Sequence, residues 1–473
     1  MRNLSLMTDL YQLSMLGGHN RQGKNETVVF DMFFRQTGVQ SNYAIAAGLE
    51  QLVEYIEGLS FDAESIRYLR DTIGYGGEFL NYLTKFKFGG DIYAVPEGTV
   101  VFPDEPIITV VAPLMEAQLI ETALLNIINH QTLIATKASR IAFAASPGLA
   151  VEFGLRRAHG PDAGLYGSRA AIIGGAIGTS NVLAAKEFGV MAKGTHAHSW
   201  VMSYPSEFEA FEAYAECYPD NCLLLVDTFD TLKSGIPNAI KVFDKLKENG
   251  HKPIGIRLDS GDLAYLSKVS REMLDKAGYG DAVIMASGDI DEFVIESLKT
   301  QGARIDIYGV GTKLVTGDGI SLGGVYKMSA LKSGGAWVPK IKLSNSLVKT
   351  TNPGRKKLWR IYDASGKAFA DLIALDGETL PVPLVLTHPV ERYKNTRISE
   401  YTAKELQVPI FKAGKRVYSC PSLTDIAEYS KKDKATFWGE YFRLANPHIY
   451  KVNLSDKLHS LKNKLLETNN FGQ

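Results

Sequence analysis

Cysteine is nearly missing: Cys217, Cys222 and Cys420 are the only three in 473 residues. They form neither a disulfide framework nor a CxxC metal knuckle, which favours a reducing compartment. Net charge is missing too, because 52 Lys and Arg balance 52 Asp and Glu. Such a chain has no global field to draw in nucleic acid or an anionic membrane, so any anion site must be built locally. No run approaches the roughly 20 apolar residues that cross a bilayer. The opening MRNLSLMTDLYQLSML has an apolar side, but Asp9 and Gln12 interrupt it, so it does not read as a secretion signal. These absences together point to a cytoplasmic protein. Internal repeats and low-complexity tracts are also lacking. Histidine is scarce at nine residues, yet two of them fall within KGTHAHSW (193–200).

What is present is a regular alternation. A chain of this length exceeds one compact core, so two or three domains are expected. From about 148 to 316, strand-like runs LAVEFGL (149–155), VMAKGTHA (190–197), CLLLVDTF (222–229), PIGIRLD (253–259), AVIMASGD (282–289) and IDIYGVGT (305–312) alternate with amphipathic helical runs. A seventh strand fits near GAIGTSN (175–181). Strands alternating with helices of this length make a parallel sheet. No glycine fingerprint follows the first strand, so an irregular βα barrel fits better than an open sheet. The expected class is α/β, with the barrel at 136–335. An N-terminal α/β domain (1–135) and a C-terminal segment (336–473) are expected to form an additional domain together. GRKK (354–357) reads as a solvated turn rather than a nucleic-acid patch.

Polar residues gather at or just past the C-terminal ends of these runs: Arg156, Thr195, His198, Asp227, Arg257, Asp259, Ser287, Asp289 and Thr312. A βα barrel brings such ends to one rim, where its active site is built. Helix capping explains an Asp or Ser at any one end, but not arginines and a histidine. In RLDSGD (257–262), Asp259 and Asp262 suit ribose hydroxyls or a Mg²⁺ shell. The alternative is that Asp259 or Ser260 caps the next helix. Arg257 inside a buried strand calls for an anionic partner. ASGDIDE (286–292) repeats the form with Ser287, Gly288 and Asp289. In YGVGTKLVTG (308–317), Gly309, Gly311 and Thr312 suit a phosphorylated sugar. The arginines of EFGLRRAHGPD (152–162) have a surface ion pair as their alternative. The small residues of SRAAIIGGAIGTSN (168–181) suit close helix packing.

His196 and His198 would share a face if both lie on a strand. An HxH half-site for a metal needs later histidines, and the only one in the barrel, His251, falls on the opposite rim. A nucleophilic or acid–base histidine among anion-binding groups suits the surroundings better, with a structural histidine as the remaining alternative. The rim thus points to a phosphorylated sugar and displacement at a sugar carbon.

Taken in order, MTDLYQLSM (7–15), FDMFFR (30–35), EFGLRRAHGPD, GTHAHS, VDTFDT (226–231), IRLDSGDL (256–263), ASGDIDE, IYGVGTKLVT (307–316), LGGVYK (322–327), KTTNPGRKK (349–357) and NPHIYKVNLS (446–455) closely resemble nicotinate phosphoribosyltransferases over nearly the whole chain. The resemblance implies the type II phosphoribosyltransferase fold. It also implies formation of nicotinate mononucleotide and pyrophosphate from nicotinate and 5-phosphoribosyl 1-pyrophosphate, coupled to ATP through a phosphorylated His198 in NAD salvage. Mg²⁺ is implied as cofactor, and a homodimer with shared sites as the assembly. Tyr11 of a neighbouring subunit and Phe153 would sandwich the pyridine, with Thr195 and Arg257 also binding nicotinate. Ser180 stands where the nicotinamide-using relative carries Asp, which favours the acid as substrate. Arg156, Asp259, Ser287, Gly288, Asp289, Gly309, Gly311 and Thr312 would hold the phosphoribosyl pyrophosphate, and Asp259 would also take part in the chemistry. The rivals are an amide-specific phosphoribosyltransferase, a metal-dependent barrel hydrolase and a non-catalytic ligand sensor.

Overall fold

Apolar residues on both faces of successive short strands demand cover on both sides, and the alternating helices provide it. In the computed structural model, which describes residues 3–35, 41–343, 350–388, 391 and 393–470, the chain forms two compact units. One contains residues 134–320 with 422–427; the other combines 1–133, 321–421 and 428–473.

The 134–320 unit carries a parallel sheet ordered Leu149–Glu152, Ile307–Val310, Val283–Gly288, Gly255–Leu258, Leu223–Leu225. Leu224, Ile256, Leu258, Ile284 and Val310 are fully buried. Two isolated parallel bridges, Glu152 to Thr179 and Thr179 to Ala192, extend the sheet beyond Leu149–Glu152. The helices follow their apolar spacing. Ile236–Glu248 buries Ile236, Ala239, Val242, Phe243 and Leu246, a helix face in register with the 3.6-residue period. Parallel strands put every C-terminal end at one edge, where the βα turns lie. Asp230, Asp262 and Asp291 cap the helices that leave those turns by accepting backbone N–H groups.

Three expectations about this unit change. The run 190–197 is not a strand: only Ala192 makes a bridge, and residues 193–197 are irregular up to helix His198–Met202. Asp262, rather than Asp259 or Ser260, is the helix cap and holds the N–H of Tyr265 at 3.0 Å. The unit also ends near 320 rather than 335. Gly324–Ser333 pairs antiparallel with Thr27–Phe34 instead, since hydrophobic periodicity reports a strand but not the sheet it joins.

The other unit interleaves both ends of the chain. Its seven-stranded sheet runs Ala336–Pro339, Gly324–Ser333, Thr27–Phe34, Ile108–Pro113, Asp91–Ala94, Val408–Lys412, Lys415–Arg416. Lys356–Tyr362 lies in a second sheet beside Ala368–Leu375. Within GRKK, Lys356 is buried and paired with Asp31 at 2.7 Å, so the motif is not simply a solvated turn. The preceding stretch 344–349 lies outside the described residues. No helix among the described residues is long and apolar enough to cross a membrane.

Candidate active site

A cavity of about 430 Å³ opens at the C-terminal edge of the parallel sheet. Of the nine polar residues noted at run ends, all but Asp227 line it. Phe153, Ser180, Gly288, Gly309 and Gly311 line it as well. Tyr11 does not: it sits half exposed on helix Leu10–Gln22 of the other unit.

Arg257 organises the floor. It is the third residue of Gly255–Leu258, so a buried strand delivers a guanidinium to the rim. Nε donates to Ser287 Oγ (2.7 Å), Nη1 to Thr195 Oγ1 (3.0 Å) and Nη2 to Asp259 Oδ1 (2.7 Å). The guanidinium carbon lies 5.5 Å from the Phe153 ring centroid, within cation–π range. A guanidinium has five N–H donors. With three engaged, two remain for a ligand, one on each terminal nitrogen. Burial pushes the Asp259 carboxyl upward, but the Ser287 hydroxyl and the Arg257 charge outweigh it and hold the group below its ordinary value. It therefore stays ionised at neutral pH.

The two histidines diverge. His196 is buried, and its Nε2 accepts the N–H of Leu225 at 3.1 Å. Its ring packs edge-on to Tyr214 at 4.7 Å. Burial lowers its pKa to about 4, so it is a neutral packing residue. His198 has 41% of its side chain exposed and lines the cavity. Its Nε2 lies 3.3 Å from Oδ1 of the buried Asp227. The other oxygen of Asp227 accepts the Asp259 N–H (3.0 Å) and the Ser260 hydroxyl (2.6 Å). A carboxylate there favours the tautomer with the proton on Nε2, which leaves Nδ1 with a lone pair. Among the described residues, no group of three or more His, Cys, Asp and Glu side chains converges as a metal site.

The glycines act differently from one another. A Cβ on Gly309 would meet the Phe153 ring at 2.8 Å, so this glycine makes room for the aromatic plate. A Cβ on Gly311 would meet the Phe153 carbonyl at 3.0 Å. Thr312 then opens the short helix Thr312–Val315, whose first N–H groups have no partner within the helix.

Residues 6–129 match the family model for the nicotinate phosphoribosyltransferase N-terminal domain, 149–357 that for the nicotinate phosphoribosyltransferase family, and 355–462 that for its C-terminal domain. The chain is 47% identical to the nicotinate phosphoribosyltransferase of Bacillus subtilis, over 98% of this chain and 97% of that protein. It belongs to the nicotinate phosphoribosyltransferase family. Nicotinate phosphoribosyltransferase of Dictyostelium discoideum is 35% identical, over 96% of this chain and 88% of the relative. The crystal structure of human nicotinic acid phosphoribosyltransferase superimposes with a TM-score of 0.84 at 29% identity, covering 97% of this chain and 99% of that one.

For this member of the nicotinate phosphoribosyltransferases, sequence reasoning left two buried carboxylates without a role. Asp227 appeared only as a polar strand-end residue, although VDTFDT carries it into the site. Glu152 went unremarked within EFGLRR. Its fully buried carboxylate accepts the Gly154 N–H and the Thr179 hydroxyl, with Ser168 Oγ 3.1 Å away. For Glu152 the signal was an acid ending a buried strand beside Phe153, which was already assigned.

Proposed function

We propose that this enzyme joins nicotinate to the phosphoribosyl group of 5-phosphoribosyl 1-pyrophosphate in the cavity around Arg257, serving NAD salvage in the cytoplasm. The observation that carries the reading is the pair of open guanidinium N–H groups beside the Phe153 ring. A pyridine carboxylate fits both at once, its charge on the fork and its ring against the plate. Ser180 at the wall adds no carboxylate to repel it, whereas an amide substrate would leave the fork without an anion.

In the reaction the pyridine nitrogen forms a bond to the sugar carbon as the carbon–oxygen bond to pyrophosphate breaks, and the electron pair leaves with pyrophosphate. Charge grows on the leaving group, and the transition state is cation-like at the carbon. Asp259, ionised and at the floor, faces that cation and the ribose hydroxyls. Arg156 and the turn Gly311–Thr312 take phosphate, with Ser287, Gly288, Asp289 and Gly309 completing the wall. Mg²⁺ fits this donor set. Such an ion keeps one or two carboxylates plus substrate phosphates, and Asp259 and Asp289 would hold it, where it would neutralise pyrophosphate charge.

ATP enters through His198. With Nε2 hydrogen-bonded to Asp227, Nδ1 attacks the γ-phosphorus and ADP departs. Asp227 offsets the positive charge that develops on the ring. Phosphohistidine then sets a dianion beside the pyrophosphate site, and its hydrolysis supplies the coupling. Tyr11, exposed on its own chain, would complete the pyridine sandwich in a homodimer with shared sites. The parallel sheet, extended through Thr179 and Ala192, would curl as the irregular βα barrel, with the interleaved unit as second domain.

The test is pyrophosphate release from nicotinate and phosphoribosyl pyrophosphate, with and without ATP, and with nicotinamide in place of nicotinate. Nicotinate-dependent release stimulated by ATP is expected. Equal use of nicotinamide would overturn the assignment of the fork.

A further inference from the structure

We infer that Glu152 is a positioning residue for the base pocket, a two-armed bracket whose separate carboxylate oxygens hold its two walls. This rests on the reading of Phe153 and Ser180 as the nicotinate pocket. Glu152 ends strand Leu149–Glu152 and is fully buried. Its Oε1 accepts the N–H of Gly154, which fixes the turn carrying Phe153 and Arg156. Its Oε2 accepts the Thr179 hydroxyl, which fixes the turn carrying Ser180; Ser168 Oγ lies 3.1 Å from the same oxygen but shares its one proton with the Gly164 carbonyl at 2.8 Å. Among the described residues these neutral donors are its only side-chain hydrogen-bond partners. A buried carboxylate answered by neutral donors alone is a costly way to fill a core. Two acceptors that reach in opposite directions are what it provides.

The second arm is directional. Thr179 Oγ1 accepts the N–H of Asn181 at 2.9 Å, so its own proton has to point at Glu152. The first arm is equally constrained, because a backbone N–H cannot invert. Gly154 is also jammed against the phosphate turn: a Cβ there would meet the Val315 Cβ at 2.5 Å and the Gly311 carbonyl at 2.8 Å.

The geometry makes isosteric variants separable. In Glu152→Gln the amide oxygen must face Gly154, and its NH₂ then opposes the Thr179 proton. The Gly154 wall survives and the Ser180 wall is released. Thr179→Val releases the same wall from the other side, while Thr179→Ser keeps the hydroxyl. Glu152→Ala releases both walls.

Steady-state kinetics on the full-length enzyme, varying each substrate in turn, test this. Glu152→Gln and Thr179→Val should each raise the nicotinate KM about 5- to 10-fold, the scale of one lost hydrogen bond, with the phosphoribosyl pyrophosphate KM within about two-fold of wild type. Their double variant should be no worse than either single one. Thr179→Ser should match wild type, and Glu152→Ala should raise both KM values. If Glu152→Gln fails to fold, the Thr179→Val and Thr179→Ser pair decides alone. Both KM values unchanged in Thr179→Val, or both raised together, overturns the inference. Phe153→Ala separates the two levels: if it leaves the nicotinate KM unchanged, the pocket reading falls and the bracket with it. If it raises that KM while Glu152→Gln and Thr179→Val do not, only the bracket falls.

Discussion

Replacing Arg257 with lysine isolates the recognition step, because charge stays while the fork goes. Three of the five guanidinium N–H groups are engaged, by Ser287, Thr195 and Asp259. A lysine ammonium can retain the Asp259 contact but cannot also span Ser287, Thr195 and a ligand. Asp259 therefore keeps a counter-charge and the floor is not left with an uncompensated carboxylate. The substrate loses about one net charge-assisted hydrogen bond, worth about 1.5–3 kcal/mol. At about 1.4 kcal/mol per decade, the nicotinate KM should rise about 10- to 150-fold. Nicotinamide has no charge to lose, so its kcat/KM should move by less than about three-fold. The assay is kcat/KM for both substrates in wild type and Arg257→Lys at saturating phosphoribosyl pyrophosphate. The nicotinate-to-nicotinamide ratio should collapse with the nicotinate loss. An unchanged ratio would refute the carboxylate assignment, even if overall activity fell.

Other outcomes follow from the same geometry. His198→Ala should abolish ATP-dependent stimulation and acid-labile phosphate on the protein while keeping slow ATP-independent synthesis; full stimulation in the variant would contradict the phosphoryl acceptor role. Asp227→Asn keeps the shape but not the charge beside His198, so ADP formation during turnover should drop by at least about ten-fold, read in a coupled ATPase assay. His196 has a depressed pKa of about 4, so between that value and its ordinary 6.5 the unfolded chain binds more protons than the folded one. Its contribution to stability is complete above about 6.5 and is lost as pH falls from there toward 4. His196→Gln should flatten the melting temperature against pH across that window, measured by calorimetry.

Much of the site was legible because parallel strands convert sequence position into place: an Arg, Asp or Ser at the end of a buried run has to reach one edge. That logic located Arg257, Asp259, Ser287 and Thr312 together. It failed where irregular backbone carried the chemistry. KGTHAHSW looked like a strand with both imidazoles on one face, yet after Ala192 the chain runs irregular to His198. There His196 is buried and bonded to Leu225 at the cavity wall, while His198 stands more open in the cavity. Period-two spacing cannot register that change. The seventh strand expected near GAIGTSN amounts to a single ladder residue, Thr179, which is held by Glu152 as much as by its neighbours. Asp227 and Glu152 stayed unassigned because such an acid takes its role from donors distant in sequence, Asp259 and Ser260 for the one and Thr179 for the other. The extent of the second unit was hidden for the same reason, with Thr27–Phe34 finding partners about three hundred residues away, at Gly324–Ser333.

The most direct measurement is a crystal structure of the enzyme with nicotinate mononucleotide. The pyridine carboxylate should lie on the Nη1 and Nη2 groups of Arg257 with the ring against Phe153, and the phosphate should lie at Gly311–Thr312. A nucleotide bound with its carboxylate away from Arg257, or outside this cavity, would contradict the account.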